Sequence, residues 1–296
     1  MPNPEQDSPP VSMMDGLSYL NQGLYRDLDW DATLDYMLRR YVRPLQDHLR
    51  IEDMTLADCA AGFGWFAFAY LRAGGKHATL IEPDRLRLQA AEQIANQLGL
   101  AKRCTFVNST LQDTHFRDLE FDIFASIETL EHVGRENFAS CILTITRCAR
   151  HCVLLTSPNA AFPMIAHDTR LPFAHWLPKK ARKTYARIFG RINAEAGNDF
   201  LWAKDLKPLR QQFSPNATYQ TFRNYREFLD FYPHYVPYGP PQDRSRHKPS
   251  LALSLFVYAV GKLCGTNSYI ISPNLANIWI RNSTLTKNSK QDKRRR

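Results

Sequence analysis

With 296 residues, 44% of them hydrophobic and 23% charged, the chain can bury one large core, or a core with a modest accessory region, and is neither mainly disordered nor fibrous. The formal net charge is +9, and residues 160–250 hold 15 Lys and Arg against 7 Asp and Glu. That excess suits nucleic acid, anionic lipid or an acidic substrate as readily as a plain solvated surface.

No apolar run reaches the ~18 residues of a membrane span. The N-terminus, with Pro2, Pro4, Pro9 and Pro10 among polar residues, has no signal-peptide core. The six cysteines (Cys59, Cys104, Cys141, Cys148, Cys152 and Cys264) include no C-x-x-C pair and mostly sit in apolar runs. A reduced, cytoplasmic compartment is therefore expected.

Residues 1–14 read as a disordered lead-in. In 30–49, Leu34, Met37, Leu38, Tyr41, Val42 and Leu45 recur at helical spacing and predict a helix packed on the main domain. From residue 54 strands and helices alternate. Strands are expected at Met54–Ala60, Ala78–Glu82, Cys104–Asn108, Phe121–Ile127 and Cys152–Thr156. Helices are expected at Gly64–Ala73 (stopped by Gly74-Gly75), Asp84–Leu98 and Asn137–Arg150. This rhythm predicts an α/β fold: a doubly wound, Rossmann-like, mostly parallel seven-stranded sheet with helices on both faces.

After Asn159 the rhythm breaks. Helices are expected over Lys179–Phe189 and Ala203–Phe213, a strand over Thr218–Arg223, and a last edge strand at Asn277–Arg281. Residues 160–200 and 225–265 read as insertions that cap the sheet's carboxyl edge, too long to be mere connections. The expected organisation is one domain over 15–296, with a cofactor-binding half at 50–160, the two cap insertions and a basic tail at 283–296.

The turn after the first strand reads Asp58-Cys59-Ala60-Ala61-Gly62-Phe63-Gly64. Small residues there let backbone approach a ligand, and the next helix aims its N-terminus at it. A glycine turn alone is equally a plain tight turn. Glu82, 24 positions after Asp58 at the end of the second strand, sharpens the reading. An acid there accepts the hydroxyls of a ribose, whether of NAD or of S-adenosylmethionine.

The spacing D-x-A-x-G-x-G, with an acid leading, resembles motif I of class I S-adenosylmethionine-dependent methyltransferases, with Ala60 in place of a glycine. Nicotinamide folds favour G-x-G-x-x-G instead. The resemblance runs over roughly 54–159. Phe106–Leu111 is similar to the family's adenine-lining segment, Phe121-Asp122 opens the fourth strand as in the family, Ile127–Val133 resembles E-x-L-E-H-V, and Thr156-Ser157-Pro158-Asn159 resembles S-T-P-N. It implies that Asp58, Ala60, Gly62, Gly64, Glu82, Thr110, Leu111 and Ile127 hold S-adenosylmethionine. The family often has an Asp near Ser109 or Thr110; its absence here leaves adenine to hydroxyl or backbone contacts. Ala60, nearly as small as glycine, would tighten the pocket near the methionine part.

Glu128, Glu131 and His132 lie three and four apart, which on a helix turn puts them on one face. The stretch resembles E-V-L-E-H-V of ubiquinone-pathway O-methyltransferases and E-x-x-E-H of small-RNA 2′-O-methyltransferases, in which these residues bind metal. Three readings stand. Glu128, Glu131 and His132, joined by His167 or His175, hold Mg²⁺, Mn²⁺ or Zn²⁺; His132 is a general base or orients the acceptor; or the group is structural, with Glu131 a helix N-terminal acid.

Phe162-Pro163, His167-Asp168-Thr169 and Leu171–Pro178 resemble an insert of bacterial methyltransferases of unassigned substrate, and read either as a substrate wall or as proline-stiffened packing. The basic, aromatic helix Lys179–Phe189 suits an anionic membrane or nucleic acid. Leu251–Leu263 either docks at a membrane interface or, as the favoured reading, is a buried helix. The expected activity is methyl transfer to a hydroxyl of a small, lipophilic or glycan-linked acceptor, on a cytoplasmic or membrane-peripheral enzyme. Alternatives are an RNA or DNA substrate, though N-P-P-Y is absent from the fourth strand, and a methyltransferase fold used only for binding. Oligomeric state is left open.

Overall fold

The computed structural model describes residues 29–165, 169, 171–191, 198–217, 250–264, 274–275 and 277–282. They carry a seven-stranded, mostly parallel sheet in the order β3-β2-β1-β4-β5-β7-β6. Two compact units divide the chain. One reaches to Phe116 and takes in Phe121–Phe124; the other holds Arg117–Glu120 and continues from Ala125.

The first unit opens with α1 (Trp30–Met37), capped by Asp29, whose carboxylate accepts from Ala32 N–H at 3.0 Å. One π-helical turn, Leu38–Val42, leads into α2 (Arg43–Gln46). Leu34, Tyr41, Val42 and Leu45 are buried, as their spacing predicts. This helical run packs on α3 (Trp65–Arg72) through edge-on ring pairs, Trp30 with Trp65 and Tyr41 with Phe66.

Strands β1 (Thr55–Cys59), β2 (His77–Ile81) and β3 (Cys104–Val107) pair in parallel. Helix α3 is apolar on all sides and every residue from Trp65 to Leu71 is buried, the signature of a helix enclosed by the core. Burying Phe66, Phe68 and Leu71 contributes about 1.5–3 kcal/mol each. Asp84 caps α4 (Arg85–Gln97) by accepting from Leu86 and Arg87 N–H. At the amino end of β4 (Phe121–Ile127), Asp122 accepts from both the backbone N–H and the hydroxyl of Thr55. That pair starts β1 and β4 side by side.

In the second unit, α5 (Phe138–Cys148) precedes β5 (Ala149–Thr156). Then come α6 (Lys179–Ile188), α7 (Lys207–Gln212), β6 (Phe213–Ala217), α8 (Leu251–Cys264) and β7 (Asn277–Arg281). Two expectations need correcting here. β7 is not an edge strand: it lies between β5 and β6, antiparallel to both, and Asn277–Ile280 are buried. The edge is β6, whose Pro215 has no N–H to give a further neighbour. A strand forms at 213–217, and the one expected at Thr218–Arg223 lies outside the described residues. The segment from Leu251 is helical but not a core helix, since Leu251 and Leu263 are 76% and 85% exposed. No helix among the described residues is long and apolar enough to cross a membrane.

Candidate functional site

β1 runs out into Ala60, and the turn it enters is set by backbone signs. Ala60, Gly62 and Gly64 have φ of 54°, 56° and 82°. Three left-handed residues in five fold the chain back so that Gly64 N–H donates to Ala61 C=O (2.8 Å) and Ala61 N–H to Ile81 C=O (3.1 Å). The two glycines do different things. A Cβ on Gly64 would fall 2.6 Å from Phe68 Cζ and 2.7 Å from Leu80 Cδ2, whereas one on Gly62 would meet nothing within 4 Å. Gly64 thus lets α3 close on β2, and Gly62 presents bare backbone to open space.

Ala60 takes a left-handed dihedral that suits glycine, so its side chain carries backbone strain. A side chain in the left-handed region costs about 1–2 kcal/mol, less the ~0.4–1 kcal/mol that a glycine loses by freeing the unfolded chain. Ala60→Gly is therefore expected to leave stability unchanged or raise it by about 1 kcal/mol; a lowered thermal midpoint speaks against strain at this turn.

Glu82, buried at the carboxyl end of β2, closes the turn. One carboxylate oxygen accepts from Gly62 N–H at 2.8 Å, the other from Asp84 N–H at 3.0 Å. Each oxygen keeps a lone pair. Asn108 braces the same corner by donating to the carbonyls of Glu82 and Pro83, both at 2.9 Å. Asp58 faces inward. It is buried, accepts from the Ala67 backbone N–H, and is pushed up to about 7 by loss of water and by the charge of Glu82. Thr110 is tied to Asp113, its hydroxyl donating at 2.6 Å, and Leu111 is buried. Asp113 supplies an acid three positions beyond the one the family pattern places, and position alone gave no sign of the contact.

The second unit holds Ile127, Glu128, Glu131 and His132. The expected helical face does not form. Ile127 ends β4, Glu128 turns at φ 50° with its N–H on Thr156 C=O (2.7 Å), and Leu130–His132 is one 3₁₀ turn. The structure brings together the two carboxyls and not the imidazole. Burial, and next the charge of Glu128, pushes Glu131 well above the usual carboxylate range. As an acid it shares its proton with Glu128 and accepts from the Ser157 hydroxyl at 3.1 Å. His132 is exposed. Two carboxyls sharing one proton are a poor cation site. Among the described residues no group of three or more His, Cys, Asp and Glu converges on a common point, so the metal set of Glu128, Glu131, His132 and His167 is not supported. His167 lies outside the described residues. His175 is engaged elsewhere, its Nε2 3.0 Å from Ala160 C=O.

Residues 56–151 match the family described as "Methyltransferase domain". Residues 56–151 thus carry a methyltransferase domain, of the class I, S-adenosylmethionine-dependent kind. The matched stretch runs from β1 into the start of β5, and so contains both the turn and the carboxyl pair.

Solved structures similar to the chain include magnesium protoporphyrin IX methyltransferase from Synechocystis PCC 6803 with bound SAM (15% identity, 63% of this chain and 70% of that one, TM-score 0.42). Others are the YcgJ protein of Bacillus (13%, 83% and 96%, 0.46) and geranyl diphosphate C-methyltransferase from Streptomyces coelicolor A3(2) (10%, 84% and 77%, 0.45). At these values they say nothing about the methyl acceptor of this domain. No curated protein matches the chain.

Proposed function

We propose that the chain binds S-adenosylmethionine on the Ala60–Gly64 turn and transfers its methyl group to a hydroxyl of a small acceptor. The observation that carries the reading is the Glu82 carboxylate, fixed on Gly62 N–H with lone pairs to spare, beside a glycine whose missing Cβ opens onto free space. A ribose needs such an acid and such an approach. Glu82 accepts the ribose hydroxyls; Gly62 admits the chain of the cofactor, with Gly64 closing α3 on β2 behind it; Thr110 and Leu111 flank the adenine. Asp58 acts from behind the turn, positioning α3 through Ala67 N–H. The bound cofactor supplies a methyl group on a sulfonium, already a strong electrophile.

The protein's own part is to position the acceptor and move one proton. His132 takes the hydroxyl proton as the oxygen attacks.

Methyl-labelled S-adenosylmethionine incubated with the full chain and a small-molecule extract is expected to label low-molecular-weight acceptors. With such an acceptor in hand, His132→Ala should keep S-adenosylhomocysteine binding and lose about 10²–10⁴ in turnover. Unchanged turnover rejects His132 as the base. Label found only in nucleic acid rejects the small acceptor.

A further inference from the structure

In the second unit a cavity of about 180 Å³ is lined by Arg135, His175, Trp176, Arg182, Phe200 and Trp202, with Ala160 and Asp199. Its charges do not balance. Arg135 is paired with Asp205 at 2.9 and 3.0 Å, and Asp199 with Lys179 at 2.8 Å. Arg182 is 5% exposed and meets no carboxylate among the described residues. It donates to the carbonyls of Asn198 and His175, both at 2.9 Å, and stands over the Phe200 ring, while its Nε has no partner among the described residues. Burial and the charge on Arg182 hold His175 below its usual range, so the imidazole adds no further positive charge. Buried guanidinium groups are ordinarily matched by an anion; here the lining leaves one cation over.

The remaining walls are aromatic. Trp176 has its indole N–H occupied by Ala160 C=O at 2.7 Å and offers a ring face. Trp176 and Trp202 are both partly exposed, and Phe200 is edge-on to His175. The volume is the share of about six waters in the liquid. A planar guanidinium with unused N–H groups matches a planar carboxylate, and flat aromatic walls match a flat body.

We infer that this cavity is a binding site for the carboxylate of a small ring-bearing acid, with Arg182 as its counter-ion and Trp176 and Trp202 against its ring. The site does not depend on the methyltransferase reading, and its test contains no S-adenosyl compound.

Benzoate, benzamide and inorganic phosphate are titrated against the full chain at matched ionic strength, with tryptophan fluorescence as the readout. Benzoate is expected to quench saturably. Benzamide, which keeps the ring without the charge, and phosphate, which keeps charge without the ring, should each bind at least about tenfold more weakly. Arg182→Met should weaken benzoate by a similar factor. Because Arg182 also ties two carbonyls, the surface double variant Trp176→Phe/Trp202→Phe provides a second reading that leaves the buried contacts of Arg182 in place, and should remove most of the quench. Benzamide or phosphate binding as well as benzoate, no saturable quench by benzoate, or a quench that survives the double tryptophan variant, each overturns the assignment.

Discussion

Gly64→Ala is expected to destabilise the protein by about 1–4.5 kcal/mol, while Gly62→Ala, two residues away, costs at most about 1.5 kcal/mol and instead weakens S-adenosylhomocysteine binding at least about tenfold. Both positions lie in the left-handed region, so both variants carry the backbone strain of a side chain there, about 1–2 kcal/mol, less the ~0.4–1 kcal/mol gained by restricting the unfolded chain. They differ in what the new methyl meets. At Gly64 it falls 2.6–2.8 Å from Phe68 and Leu80, which are fully enclosed, and overpacking such a core adds about 1–3 kcal/mol. At Gly62 it points into open space, where the proposed ligand lies. Denaturant melts and ligand titrations on the two variants separate the roles. Equal loss of stability in both, or unchanged binding in a folded Gly62→Ala, contradicts the division of labour.

The second large effect is on stability against pH. Asp58 has its carboxyl pushed from 3.8 to about 7 by burial and by Glu82. A group whose folded value lies above its unfolded one favours folding most below the unfolded value, and that contribution is lost as pH rises through the folded value. The window therefore runs from about pH 4 to about pH 7, and a shift of this size corresponds to roughly 4 kcal/mol at most. Asp58→Asn keeps an oxygen for Ala67 N–H and removes the ionisation. The variant should show a flatter dependence of thermal midpoint between pH 4 and 8 and equal or exceed the parent protein above pH 7. A parallel pair of curves, with the slope intact in the variant, places the titration elsewhere.

The sheet through β5 was legible because each strand is a short apolar run between turn residues, and α4 announced itself by Asp84 and Gly99. Beyond β5, β7 was legible as a strand though not in its place in the sheet, and β6 was not legible. β7 is five residues near the end of the chain, and nothing in Asn-Ile-Trp-Ile-Arg says that it inserts between β5 and β6; that pairing is decided by distant sequence. β6 contains Ser-Pro-Asn, a turn signal by local rules, and is a strand because an edge tolerates proline.

At the site, the turn and Glu82 were readable because their chemistry is local. The helical spacing of Glu128, Glu131 and His132 misled, since it presumed a helix where the chain leaves a strand through a left-handed residue. Arg182 was hidden among the basic residues of α6. Its sharing of the buried face with Ala186, four residues on, is the one sign of it, and shows only once the helix is docked.

Calorimetric titration of the full chain with S-adenosylhomocysteine and, separately, with NAD tests most directly whether the Ala60–Gly64 turn and Glu82 take an S-adenosyl compound. Saturable one-to-one binding of S-adenosylhomocysteine, lost in Glu82→Ala, is expected, with no heat of binding from NAD; binding of NAD with S-adenosylhomocysteine silent would contradict it.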